Sequence, residues 1–325
     1  MTPARRYLPL PLQHDSFAPA DLRAHSTSIE RSRRADIEHP FHGVAAHGVD
    51  SHDLVVRAAA LTRRHGMPTF AFSHVTAAQL RGLPLPRHIR RDDLQITVAH
   101  PARASRLFGV DAHAFRHPPQ AVAHALFVAP SSRELHLLPV LRDDWLIASL
   151  GTELECDDLV AIADALRRRA ASEGRTLELT RALAPGRRGA QRVRRAVALS
   201  REGVRSRPET LLRLLVARAG FPDPVVGHTI AAAGWKATPD LAWPSYSVLL
   251  EYEGDQHRTD ARQFRHDIRR FERYVDRGWS ALRVTRSDLF EDTAELIDRV
   301  ENRLRRAGWA PPRSWRSRPV HPFRP

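Results

Sequence analysis

The chain is poor in cysteine. Its 325 residues contain one, Cys156. A disulfide framework needs pairs and a zinc finger needs ligands at fixed spacing, so neither is present. Lysine is equally scarce: Lys236 stands alone, and arginine makes up the rest of the 51 basic residues. No run approaches the ~18 consecutive apolar residues of a membrane span, and no membrane partner is expected. The opening "MTPARRYLPLPLQHDSFAPAD" lacks a continuous apolar segment of signal-peptide length. The expected compartment is the cytoplasm. A Gly-rich phosphate loop and a nucleophile motif are also missing, which leaves a small-molecule enzyme without support.

What is abundant is positive charge. The net charge is +14 and the pI about 11.2. Such a balance favours a polyanionic partner, most simply DNA or RNA, and the planar arginine fork suits phosphate. A GC-rich genome produces the same Arg-for-Lys usage with many Ala and Pro, so charge alone leaves both readings open. A 42% hydrophobic and 27% charged content is that of an ordinary globular protein. The length predicts two domains.

The patterning divides the chain further. Residues 1–50, with "RSRRAD" and "EHPFHGVAAHGVDSH", read as a basic, loosely ordered arm. Its histidines match no metal-ligand spacing. Residues 51–175 read as an α+β domain: a helix from a Ser51 N-cap towards Gly66, strands at "TFAFSH", "DLQITVAH", "HALFVAP" and "ELHLLPVL", and helices at "VTAAQLRGLPLP", "RDDWLIASLGTEL" and "CDDLVAIADALRRRAASEG". Residues 176–206 read as a basic helical connector, able to lie on DNA or to pack as a solvated helix. From Arg207 to residue 309 the order is helix, three strands, helix, strand, helix. Pro208 opens the first of these helices. Asp260 and Gly278 bound the long helix "DARQFRHDIRRFERYVDRGW", and Ser287 caps the last. The Pro- and Arg-rich residues 310–325 read as a mobile tail.

The stretch "ATPDLAWPSYSVLLEYEGDQHR" carries acids where strands rarely hold them. Taken as a hairpin turning at "PSYS", it sets Asp240 opposite Leu250 or Glu251. Alternation puts Glu251 and Glu253 on one face. In the Glu251 register Asp240 joins them, and like charges directly opposite destabilise a sheet. A divalent cation converts that repulsion into coordination, and Mg²⁺ needs only one or two carboxylates beside its waters. Gly254 allows a sharp turn, and His257 follows as a candidate proton-transfer group. Glu209, near a helix start, either reaches this cluster or serves the helix dipole. A solvated edge strand is the plain alternative, but "DLAW" and "VLLEYEG" are core-like.

At these residues the chain resembles the PD-(D/E)xK, restriction-endonuclease-like superfamily, and within it the bacterial domains related to the very-short-patch-repair endonuclease. The resemblance covers about residues 205–300. It rests on "PD…ExE", "GDQH", the D-x-x-R of "HDIRRFE" and "GWSALRVT". It implies an α/β restriction-endonuclease-like domain, a mixed sheet flanked by helices, after the α+β N-terminal domain. It also implies Asp240 and Glu251 as ligands of Mg²⁺ (or Mn²⁺), Glu209 as the helical acid, and His257 as the catalytic histidine. Glu253 stands where the superfamily has lysine; Lys236, near Asp240, is a candidate substitute. More weakly, "FSHVTAAQLRGLPLP", then a strand, then "DWLIASLGTELECDDLVAIADALRRR" resembles the antitoxin-type domain of abortive-infection systems. The winged helix that usually precedes that domain has no counterpart in residues 1–45.

The resulting expectation is a Mg²⁺-dependent DNA endonuclease using Asp240, Glu251, Glu253, His257 and Glu209. Arg258, Arg262, Arg265 and Arg269 are candidate nucleic-acid contacts; Arg262, Arg265, Arg269 and Arg273 share a helix face that also suits plain solvation. A partner protein or a homodimer fits the same picture. The rival expectation is a non-catalytic DNA-binding or antitoxin-like regulator built on a degenerate nuclease scaffold.

Overall fold

The computed structural model describes residues 7–64, 69–89, 92–99, 106–115, 118–184, 186–232, 234–254, 269–312 and 314–324. The chain forms two compact units, Met1–Leu83 with Ile89–Glu153, and Pro84–His88 with Leu154–Pro325. Both mix helices with sheets, so the architecture is α+β. Among the described residues no helix is long and apolar enough to cross a membrane.

The first unit begins with β1 (Asp15–Phe17), α1 (Asp21–Ala24), β2 (Glu38–Phe41) and β3 (Val44–His47). The three strands form an antiparallel sheet in the order β1-β3-β2. Leu8, Leu12, Phe17, Leu22, Ile37 and Ala45 are buried together beneath it. Residues 7–50 are therefore an ordered part of this unit rather than a loose arm. Their strands are three or four residues long, too short for periodicity to reveal. Gly43, at φ +82°, makes the tight turn between β2 and β3.

Next come α2 (Leu54–Thr62), β4 (Phe70–Phe72), α3 (His74–Leu80), β5 (Leu94–Ala99), β6 (Val110–Phe115), β7 (Val122–Val128), β8 (Leu135–Leu141) and α4 (Asp143–Leu150). Asp53, not Ser51, caps α2, accepting from the Val55 and Val56 N–H groups; Gly66 lies outside the described residues. The mixed five-stranded sheet runs β6-β5-β4-β8-β7, and β6 is an addition to the expected strands.

The second unit contains α5 (Cys156–Ser172), α6 (Ala190–Leu199), α7 (Arg207–Ala219), β9 (Val225–Val226), β10 (Ile230–Ala232), β11 (Trp235–Ala237), β12 (Leu241–Trp243) and β13 (Val248–Tyr252). It continues with α8 (residues 269–275), β14 (Ser280–Val284), α9 (Arg286–Phe290) and α10 (Thr293–Arg306). Helix α5, expected at the end of the N-terminal domain, belongs here. Asp164 of α5 accepts hydrogen bonds from Thr210 Oγ1 at 2.8 Å and Arg213 of α7 at 3.2 Å, and Asp158 accepts one from Arg207. The expected connector is part of this unit too: Val193 and Ala196 of α6 are buried, and Arg192 bonds the Leu154 carbonyl.

The described residues of the 310–325 segment are docked, not a mobile tail. Trp315 donates to the Gly220 carbonyl, the Arg318 N–H to Ala219, and the Phe323 N–H to Leu289. The last helix is two. Thr285 forms a capping box with Asp288 at the start of α9, and the chain breaks before α10.

The main sheet of this unit has the order β14-β13-β12-β9. Strand β13 is parallel to β14, and β12 is antiparallel to β13 and β9. Val248, Leu249, Leu250 and Glu251 are all buried, so both faces of β13 are covered. That explains its continuous apolar run.

Candidate functional site: a buried acid cluster

The site is assembled by the β12–β13 hairpin. Leu241 pairs with Leu250, Ala242 with Leu249 and Trp243 with Val248. The turn is a single 3₁₀ turn, Pro244–Tyr246, followed by Ser247 at φ +48°. Continuing the register one step sets Asp240, immediately before β12, across from Glu251. This is the second of the two registers open to the sequence.

Asp240 is held at both oxygens. Oδ2 accepts the Tyr252 backbone N–H at 2.7 Å, and Oδ1 accepts from the Arg205 guanidinium at 2.9 Å. Glu251 is held from α8: Oε1 accepts the Tyr274 hydroxyl at 2.8 Å, and Oε2 lies 3.4 Å from the Arg270 guanidinium.

Glu209 enters from the start of α7. Ser206 is the N-cap and accepts the Glu209 N–H; the Glu209 carboxylate in turn accepts the Arg205 backbone N–H at 2.9 Å and the Ser206 hydroxyl at 3.1 Å. Glu209 is an acid in the first turn of α7, and it is buried with the charge of Asp240 acting on it.

All three carboxyls are raised, and Asp240 acts on both glutamates. Burial, then the charge of Asp240, pushes Glu209 up to about 7. The same two causes, in the same order, push Glu251 up to about 7. Burial also raises Asp240, against the pull of the Tyr252 N–H and Arg205. Burial and the neighbouring Glu251 push the Tyr274 hydroxyl far up, so it stays a donor.

The other expected residues separate. Glu253 extends the ladder by its N–H to the Val284 carbonyl at 2.7 Å, and its carboxylate lies 3.9 Å from Arg283. Arg269 is exposed. Arg273 is exposed and lies over the Trp235 ring, 6.0 Å from its centroid. Lys236 is exposed on β11, in the separate β10–β11 hairpin. His257, Arg258, Arg262 and Arg265 lie outside the described residues, as does Asp260.

Arg205 and Tyr274 contact these acids and were not anticipated; Arg270 is the arginine of the D-x-x-R on which the resemblance rests, without a role assigned to it there. Arg205 directly precedes the Ser206 cap, and Arg270 and Tyr274 share a helix face at i and i+4. Those local signals exist, but each partner is distant in sequence.

The donors suit a hard divalent cation, because they are carboxylate oxygens on rigid elements. Asp240 and Glu251 would hold it. Among the described residues no group of three or more His, Cys, Asp or Glu side chains gathers closely enough to bind a metal.

No family model matches the chain, and no curated protein matches it. Among solved structures, the RV2827C protein from Mycobacterium tuberculosis is similar to it, with a TM-score of 0.39 and 16% identity, covering 71% of this chain and 91% of that one. A likeness at that level carries no argument about function.

Proposed function

We propose that the second unit is a restriction-endonuclease-like domain that hydrolyses DNA phosphodiesters with Mg²⁺ or Mn²⁺. One observation carries this reading: Glu209 at the start of α7, and Asp240 and Glu251 across from each other in the hairpin, are all buried, and the charge of Asp240 raises the pKa of both glutamates. Buried acids with strongly perturbed pKa values beside one another are a feature that functional sites concentrate. The helix, hairpin, helix, strand, helix order of this unit supports the reading.

A divalent ion held there would supply an acidified water and countercharge for the phosphoryl oxygens. The chain's own groups do the rest. The Tyr252 N–H and the Tyr274 hydroxyl fix the Asp240 and Glu251 carboxylates. Glu209 adds negative charge from the helix side. His257 is assigned proton transfer, and Arg258, Arg262, Arg265 and Arg269 the DNA backbone. DNA is the partner, and the net charge of +14 favours it.

A second reading has its own support. Arg205 and Arg270 already stand against the acids, and Glu253 faces Arg283 instead of supplying a lysine. That arrangement suits a non-catalytic DNA-binding or antitoxin-like regulator. Plasmid nicking separates the two. A nuclease nicks only with Mg²⁺ or Mn²⁺, and Asp240→Ala abolishes nicking while DNA binding is kept or strengthened. Binding without metal-dependent cleavage of any plasmid, linear or single-stranded DNA overturns the first reading.

A further inference from the structure

Arg205 places a positive charge against Asp240 and Glu209. Its guanidinium donates to Asp240 Oδ1 at 2.9 Å and to the Thr238 carbonyl at 3.1 Å, and its Nε lies 3.8 Å from Glu209 Oε2. Its backbone N–H bonds the same Glu209 carboxylate. One residue therefore ties the helical acid to the hairpin acid. Asp240 Oδ2 is committed to the Tyr252 N–H. Oδ1 is the oxygen that Arg205 holds, and a guanidinium and a divalent ion at one oxygen repel each other.

Arg205 is also poised to leave. Its side chain is 50% exposed, whereas that of Asp240 is 8% exposed. An ion pair with one end in water is weak and sensitive to competing charge. The competitor that suits a guanidinium best is a phosphate, which it binds bidentately. Arg270, on the Glu251 side, stands farther off, at 3.4 Å.

We propose that Arg205 is an exchangeable counter-ion that couples nucleic acid to metal: a backbone phosphate draws its guanidinium off Asp240, and a divalent cation then takes Oδ1. This rests on the nuclease reading above and adds its regulation. Without nucleic acid the site is held shut to metal by its own arginine; with nucleic acid the acids are released. Thermodynamic reciprocity follows, so metal tightens nucleic-acid binding by the same factor.

The test is calorimetric uptake of Mn²⁺ by the full chain, alone and with a short phosphorothioate DNA duplex, at constant ionic strength. In the unsubstituted protein the duplex tightens Mn²⁺ binding about tenfold. Arg205→Gln binds Mn²⁺ about tenfold more tightly than the unsubstituted chain without duplex, and the duplex then changes its affinity less than twofold. Arg205→Lys, which keeps the charge but not the planar fork, falls between; it is the deciding variant if Arg205→Gln does not fold.

Asp240-dependent uptake that is unchanged or weaker in the Arg205 variants overturns the exchange and leaves the nuclease reading standing. Uptake seen in Arg205→Gln but not in the unsubstituted chain supports it. Absence of Asp240-dependent uptake in every variant, with or without duplex, overturns both.

Discussion

The Tyr274 hydroxyl donates to Glu251 Oε1 at 2.8 Å, linking α8 to the central strand β13. Tyr274 is fully buried, in the cluster formed by Ile230, Ala242, Leu249 and Ala281, and its ring meets Trp235 edge-on. The ring is fixed by packing, and the carboxylate is fixed by the ring. Tyr274→Phe keeps the packing and removes the donor. The bond lowers the pKa of Glu251 against the opposing effects of burial and Asp240, so its loss moves that pKa further up. We expect about 1–3 kcal/mol of destabilisation in urea unfolding. The pH midpoint of Asp240-dependent Mn²⁺ uptake should rise. A variant with wild-type stability and an unmoved midpoint contradicts this role.

Glu209 and Glu251 make stability depend on pH. Both have folded pKa values of about 7, above their ordinary value of 4.5. Between these pH values the folded state binds more protons than the unfolded state, so stability falls as pH rises. The contribution is fully present below about pH 4.5 and is lost as pH passes 7. The slope is at most about 1.4 kcal/mol per pH unit for each group. Thermal unfolding in metal-free buffer should show a falling midpoint from pH 5 to pH 7.5. Glu251→Gln should flatten the curve. Saturating Mg²⁺ should restore stability at the alkaline end, where the acids are charged.

Asp240→Asn tests the effect of the Asp240 charge on the two glutamates directly. Asn keeps an acceptor for the Tyr252 N–H and removes the charge that raises both glutamates. Glu209 and Glu251 should then titrate lower, and the pH dependence should shrink. Metal-dependent nicking should disappear while stability at pH 8 is equal or higher. Carboxyl chemical shifts followed by NMR across pH 4–9 read the two glutamates; unmoved titrations would contradict the coupling.

The hairpin acids were legible because sheet alternation is local: Asp240, Glu251 and the turn lie within a dozen residues, and only one register question stayed open. The Ser206, Pro208 and Glu209 cap was equally local. Arg205 and Tyr274 were not legible, and Arg270 was legible only as the arginine of the D-x-x-R, not by its partner. Their roles depend on tertiary contacts across 35, 23 and 19 residues of sequence, and one arginine in an arginine-rich chain carries no mark of its partner. The unit boundary was misplaced for a similar reason. Helix α5 follows α4 closely in sequence, but Asp164 pairs it with Thr210 and Arg213 of α7.

Asp164 provides a structural counterpart to the acid cluster. It is 1% exposed and Arg213 is 6% exposed. Its oxygens accept from Thr210 Oγ1, Arg213 and the Arg201 N–H. Three donors of this unit, one of them a buried guanidinium, serve its two oxygens, so no cation is called for. Removing one partner of a buried pair leaves the other charge uncompensated, which costs about 3–5 kcal/mol. Asp164→Ala should lose that much in urea unfolding, because Arg213 and the Arg201 N–H lose their acceptor together. At temperatures where the variant remains folded, its Mn²⁺ uptake and DNA affinity should match those of the unsubstituted chain. Buried acids with full internal partners should thus respond as structure, and only Asp240, Glu251 and Glu209 should respond to metal; an effect of Asp164→Ala on Mn²⁺ affinity as large as that of Asp240→Asn would remove the distinction.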